Sequence, residues 1–267
     1  MRSIEGVRFK KDKDYAVCHI LEFSDELKKL IREQLSFICY GATNALSTRK
    51  IYNYNNTLKE FIKRYDEKKD NTQKGMIGEL IIHVLINEFF PEYETVSPFF
   101  NIEERSVKKG FDVVLTNKEN HMMWITEVKS GELHKGKDAN ETNIDLLNRA
   151  KSDLYSRLNG ENQSLWLNAI NGAKIALDSK KDLKDAVIEI LEEYGDDSSE
   201  NKIDSKNINV FLSSVVFSSL SNRIAESRVK NKYDSIIKEK KFSATFVLSV
   251  QKETYNKIYY FLKSEVE

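Results

Sequence analysis

The apolar positions of this chain fall into blocks with two different rhythms. From Met76 to Ile86 they occupy nearly every position, and Glu79 is the one acid inside the run. A run of that length that is apolar all round predicts a buried helix over 72–90. Pro91 ends it. Two shorter runs, 111–115 and 122–129, flank the turn-rich Thr116-Asn-Lys-Glu-Asn120 and predict a hairpin. Residues 93–100 alternate loosely and predict a further strand, and 103–109 read as a polar loop. Downstream, helices are predicted from 143 to Asn159-Gly160, over 164–177 and over 181–194, followed by an acidic, mobile loop at 195–204. Residues 209–218 form an apolar run of strand length. With a helix over 221–238 and a strand over 242–250 it predicts a βαβ unit with parallel strands. A last helix is predicted over 253–263.

The first 70 residues have a weaker pattern. Short strands are predicted at 4–9 and 15–23. Ser24 or Asp25 caps a helix whose apolar positions Leu27, Leu30, Ile31, Leu35 and Ile38 follow helical spacing. A second helix covers 55–65, and the polar run 63–71 marks a boundary or a solvated helix end. The domain reading is therefore a mostly helical extension over 1–70, then one larger domain over 71–267 with helical insertions at about 160–205.

Composition changes this picture by exclusion. The 267 residues are 40% hydrophobic and 31% charged, which is globular rather than disordered. Forty-two basic residues balance 42 acidic ones, so no global field attracts nucleic acid, and any such surface must be local. Cys18 and Cys39 lie far apart, which excludes a cysteine zinc ribbon and a disulfide framework and suits a cytoplasmic setting. The N-terminal residues carry no apolar core of signal length, and no run is long enough to span a membrane. No phosphate-binding loop, nucleophile elbow or His-Glu-x-x-His is present, so nucleotide hydrolysis in cis, serine esterase and zinc-protease chemistry lack support.

What remains is a set of acids and a lysine where the local pattern calls for apolar residues. Glu127 and Lys129 end an apolar strand and share one of its faces. A hairpin turning at 117–120 sets Asp112 near Ile125 and diagonal to Glu127, roughly 7–8 Å away. Two carboxylates so placed can share a divalent ion, with oxygens about 2.0–2.1 Å from Mg²⁺. Without a cation they repel and raise each other's pKa. Glu79, on a helix face with Ile82, His83 and Ile86, is a third candidate ligand, because an isolated buried carboxylate is costly. Together Asp112, Glu127 and Glu79 predict a Mg²⁺ site, with Mn²⁺ as a substitute. Phosphodiester hydrolysis is the chemistry such a site supports, with Lys129 as the compact cation that orients water or stabilises charge.

Bland alternatives stand beside each assignment. Glu-x-Lys recurs at Glu26-Leu-Lys28, Glu67-Lys-Lys69 and Glu239-Lys-Lys241, all in polar stretches. Glu127 and Lys129 read otherwise as a strand-end ion pair, Asp112 as a strand-edge acid and Glu79 as a helix acid paired with Lys or Arg. His83 reads as a core histidine, and His121 and His134 as turn residues. Lys135, Lys137, Arg149 and Lys151 are the candidate DNA contacts.

In order, the chain offers a helix with Glu79, a strand, a strand with Gly-Phe-Asp112, a strand with Glu127-Val-Lys129, a helix and a strand. That order resembles the PD-(D/E)xK nuclease superfamily over about 75–218. The resemblance implies a restriction-endonuclease-like α/β fold, a mixed sheet with an α-β-β-β-α-β core flanked by helices. It implies catalytic roles for Glu79, Asp112, Glu127 and Lys129. Phe111 stands at the name-giving proline position, and the following helix has no clear glutamine of the kind some exonuclease members carry. More narrowly, Lys-Gly-x-x-Gly-Glu79-Leu together with Gly-Phe-Asp112 and Glu127-Val-Lys129 resembles HamA, the nuclease-like subunit of the Hachiman antiphage system. That likeness implies a DNA nuclease restrained by a partner helicase, HamB. The competing expectation is a nuclease-fold subunit that binds DNA or a helicase without cutting.

Overall fold

The computed structural model of the chain describes residues 2–100, 110–160 and 163–266. The loop predicted at 103–109 lies outside the described residues. In chain order the elements are β1 (Val7–Lys11), β2 (Tyr15–Ile20), α1 (Asp25–Tyr40), α2 (Ala42–Ala45), α3 (Tyr54–Asp66) and α4 (Asp70–Phe89). Then come β3 (Tyr93–Thr95), β4 (Val113–Asn117), β5 (Met123–Glu132), α5 (Ala139–Leu158), α6 (Gln163–Ala176) and α7 (Lys181–Ser199). The chain ends with β6 (Asn209–Phe217), α8 (Glu226–Lys238), β7 (Thr245–Lys252) and α9 (Asn256–Ser264).

The fold is α/β. Among the described residues seven strands form one mixed sheet in the order β1-β2-β7-β6-β5-β4-β3. The central pairs β2–β7, β7–β6 and β6–β5 are parallel, whereas β1–β2, β5–β4 and β4–β3 are antiparallel. Parallel interior strands are buried on both faces, so β2, β6 and β7 read as near-continuous buried runs. Strand alternation sends their side chains into two cores. Phe211, Val215 and Phe217 of β6 pack with α1, α3, α4 and α9, and Val210, Leu212 and Val216 pack with α5, α6, α7 and α8.

Several boundaries differ from the sequence reading. The predicted loop after Lys129 begins three residues later, because Ser130, Gly131 and Glu132 continue to pair with Val215, Val216 and Phe217 of β6. The predicted mobile loop at 195–204 is helical through Ser199. Tyr194 packs on Trp166 there, with ring centroids 5.2 Å apart, and a side chain at Gly195 would lie against Trp166. Helix α5 starts at Ala139, four residues before the predicted start at 143. Asp138 caps it, accepting from the Glu141 backbone while the Glu141 carboxylate accepts from the Asp138 backbone.

The end of β7 buries a charge. Lys252 is 2% exposed, and its Nζ lies 5.4 Å from the Phe23 ring centre. Burial, with Lys257 near, pushes its pKa down to about 8 against a smaller pull from Glu253. A lysine depressed in the fold costs stability wherever both states are charged, and the cost fades as pH rises from about 8 towards the unfolded value near 10.5. Lys252→Met keeps the stem and removes the charge. It is expected to raise stability by about 1–2 kcal/mol at pH 7, with the gain shrinking towards zero at pH 10. Urea melts of both proteins at the two pH values check this. A loss of stability at pH 7 would contradict it.

Candidate functional site

The site grows out of the alternation of β5. Trp124 and Val128 face the core shared with α4, whereas Met123 and Ile125 face the core shared with α5. Glu127 and Lys129 continue the second series, so they point towards α5. The β4–β5 register pairs Val113 with Thr126 and Val114 with Ile125. Carried one residue further, it sets Asp112 against Glu127 rather than against Ile125, as the shorter turn predicts. The turn is longer because the Asn117 side chain accepts from the backbone N–H groups of Glu119 and Asn120, and His121 adopts φ 57° before Met122. A two-residue shift leaves every side chain on its expected face. Asp112 Oδ2 accepts from the Val128 backbone N–H at 2.7 Å, which fixes the acid to β5.

Glu127 is 1% exposed, and both its oxygens have cationic partners. Lys129 Nζ donates to Oε1 at 2.8 Å, and Arg157 Nη1 donates to Oε2 at 2.7 Å. Burial raises the Glu127 pKa to about 7 and Asp112 adds to the rise, with Arg157 and Lys129 pulling the other way. Burial also works against the charge on Lys129, but Glu127 and Asp153 outweigh it and hold its pKa above the ordinary lysine value. The Lys129–Asp153 ion pair is 2.9 Å long. Asp153 and Arg157 are four residues apart on α5 and so share one helix face. The result is a chain of alternating charge, Asp153, Lys129, Glu127, Arg157, laid between one strand and one helix. Arg157 also donates to the Gly110 carbonyl and lies 5.6 Å from the Phe111 ring centre, which ties α5 to the entry of β4.

The structure thus brings Asp112, Glu127 and Lys129 together. Glu79 is elsewhere: its helix packs its apolar side chains in the core on the other face of the sheet. There Glu79 Oε1 is 4.0 Å from Nε2 of the fully buried His83. His83 in turn has Phe99 as a ring neighbour, with centroids 6.1 Å apart. Among the described residues no three His, Cys, Asp or Glu side chains gather as a metal-ligand group. Of the candidate DNA contacts, Lys135, Lys137 and Arg149 are exposed. Lys137 is paired with Asp145, and Lys151 is buried against Glu239. Asp153 and Arg157 were not among the site residues read from sequence. The available signal was their i,i+4 spacing on the helix that follows Glu127-Val-Lys129, but that spacing is common on any solvated helix face.

The donor set suits a particular kind of ion. Two carboxylates set against each other on adjacent strands, with neither Cys nor His, are hard oxygen donors. Mg²⁺ is ordinarily held by one or two carboxylates and completes its shell with water and phosphate oxygens. Asp112 and Glu127 fit that pattern, and the mutual effect that helps raise the Glu127 pKa is what a divalent cation would relieve.

Comparison with known proteins adds one finding. The family model described as HamA matches residues 6–264, nearly the whole chain. No curated protein matches it. Among the described residues no helix is long and apolar enough to cross a membrane.

Proposed function

The chain belongs to the HamA family, and from that premise we propose that it is the nuclease subunit of a Hachiman antiphage defence system. In this reading it hydrolyses DNA phosphodiesters with Mg²⁺, or Mn²⁺ in its place, in the cytoplasm and under the control of a partner helicase. The observation that carries the chemistry is the meeting of Asp112, at the entry of β4, with Glu127 and Lys129 of the adjacent β5. The order α4, β3, β4, β5, α5 and then β6 beside β5 supports a PD-(D/E)xK core around them.

Asp112 and Glu127 would hold the ion. When bound, it supplies charge stabilisation at the phosphoryl group and a more acidic bound water. The chain's own groups do the rest. Lys129 presents a cation beside Glu127, 22% exposed at its side chain, where it can donate to the attacking water or to a phosphoryl oxygen. The Val128 N–H holds Asp112 in register, so both acids are positioned before substrate arrives. Exposed Lys135 and Arg149 would contact the DNA backbone, whose phosphates attract them without regard to sequence. The absence of a phosphate-binding loop in this sequence fits a motor supplied in trans.

One observation favours a second reading, a subunit that binds DNA or the helicase without cutting: both Glu127 oxygens are already occupied by Lys129 and Arg157. Plasmid cleavage separates the two. Wild type and Glu127→Ala/Lys129→Ala are compared with Mg²⁺ or Mn²⁺, alone and with the helicase encoded beside it. Cutting by wild type that the double variant loses supports the nuclease. A folded wild type that binds DNA but never nicks it, even with the partner, supports the binding subunit.

A further inference from the structure

We infer that Arg157 stands in the place of the metal ion at Glu127, and that the ion can bind only when Arg157 withdraws. This rests on the reading of Asp112 and Glu127 as ion ligands. Four observations carry it. The Glu127 carboxylate is 1% exposed, and its Oε2 is taken by the Arg157 guanidinium at 2.7 Å. Its other oxygen accepts from Lys129, so each oxygen of this buried carboxylate already has a cationic partner. Arg157 is anchored at its second nitrogen by the Gly110 carbonyl, two residues before Asp112, so it spans the gap between the two acidic strands. Lys129 is itself drawn towards α5 by Asp153 at 2.9 Å, so one helix face holds both cations at the site.

The chemistry follows from charge balance. A buried carboxylate beside a second one needs positive charge, and a guanidinium that donates to it supplies that charge in the resting protein. A divalent ion supplies the same charge, so the two compete for one place. Arg157 therefore blocks the ion's place in the resting protein, and anything that moves the C-terminal half of α5 away from β5 carries Asp153 and Arg157 off together. A partner that grips the exposed side of α5, where Ser152 and Ser156 face solvent next to these residues, would act on that movement.

Metal binding tests this without reference to cleavage. Mn²⁺ is titrated into the full chain by calorimetry at pH 8, with wild type, Arg157→Gln, Arg157→Lys and Glu127→Gln compared after thermal melts establish folding. Arg157→Gln is expected to bind Mn²⁺ at least about tenfold more tightly than wild type, about 1.4 kcal/mol. Arg157→Lys, which keeps the charge, should stay near wild type. Wild-type binding that Glu127→Gln abolishes and Arg157→Gln leaves unchanged or weakens would overturn the inference and spare the metal site. Binding by none of the four would overturn the metal reading and the inference with it. A second measurement needs no variant to bind: the guanidinium NMR signals of wild-type protein are followed during Mg²⁺ titration, with Arg157→Lys as the assignment control. The Arg157 signal is expected to shift as the site fills. Filling that depends on Glu127 but leaves this signal in place would also overturn the inference.

Discussion

Replacing Lys129 by methionine is expected to lower DNA cleavage by about 10²–10³-fold, with a small change in stability. Methionine keeps most of the apolar stem and removes the ammonium group alone. What is lost is one fixed cation beside the carboxylate that would hold the ion, in a setting where its partner Glu127 is 1% exposed. Positive charge aimed at a developing phosphorane is worth more in such a partly dry site than in water. The fold should tolerate the change because Glu127 keeps Arg157 at 2.7 Å and is not left as an uncompensated buried charge. Asp153, half exposed at its side chain, loses its partner to water at little cost. Lys129→Arg should restore little, since a planar fork cannot occupy the space of a compact ammonium group. The check is plasmid nicking under single-turnover conditions, with a thermal melt beside it. Cleavage by the methionine variant within tenfold of wild type would remove Lys129 from the chemistry.

How much of this was legible in the sequence depends on how local each fact is. The strand that carries Glu127 and Lys129, the apolar helix around Glu79 and the parallel βαβ unit at the end of the chain are written in periodicities of two and 3.6, and they read directly. The turn between β4 and β5 was misjudged by two residues, since side-chain bonds from Asn117 lengthen it. That error changed which residue Asp112 opposes but not which face it occupies. The place of Glu79 was not legible. An acid on an apolar helix announces that something must satisfy it, but local pattern does not say on which face of the sheet the helix lands. Asp153 and Arg157 were hidden for the opposite reason. They look like any solvated pair on a charged helix, and only the packing of α5 over β5 turns them into partners of Lys129 and Glu127. Similarly, nothing local says that β2 pairs with β7, whose residues lie some 230 positions away.

Gly78 links the helix to the site, and its replacement by alanine is expected to destabilise the protein by about 2–3 kcal/mol. On an exposed helix the same change would stabilise by roughly 1 kcal/mol, so the sign is the test. Here a Cβ at residue 78 would lie 2.5 Å from Ser130 Cβ and 2.6 Å from Ser130 Oγ. Rotating the hydroxyl cannot relieve the first contact, because a Cβ is fixed to its backbone. Either α4 lifts from the sheet or β5 bends. Both movements are resisted: Ile77 and Leu80 on either side are fully buried, and Ser130 is paired with Val215 of β6 while its hydroxyl donates to the Lys74 carbonyl at 3.0 Å. For a chain of this size the expected loss is a melting temperature lower by about 5–10 °C. Ser130→Gly, introduced with Gly78→Ala, opens the space and should recover part of that loss beyond the sum of the single changes. A melting temperature unchanged or raised in Gly78→Ala would mean that the helix does not lie this close to β5. Because Ser130 follows Lys129 directly, the strain would also reach the site. Gly78→Ala should weaken cleavage through the placement of Lys129, and the double variant should regain it together with stability.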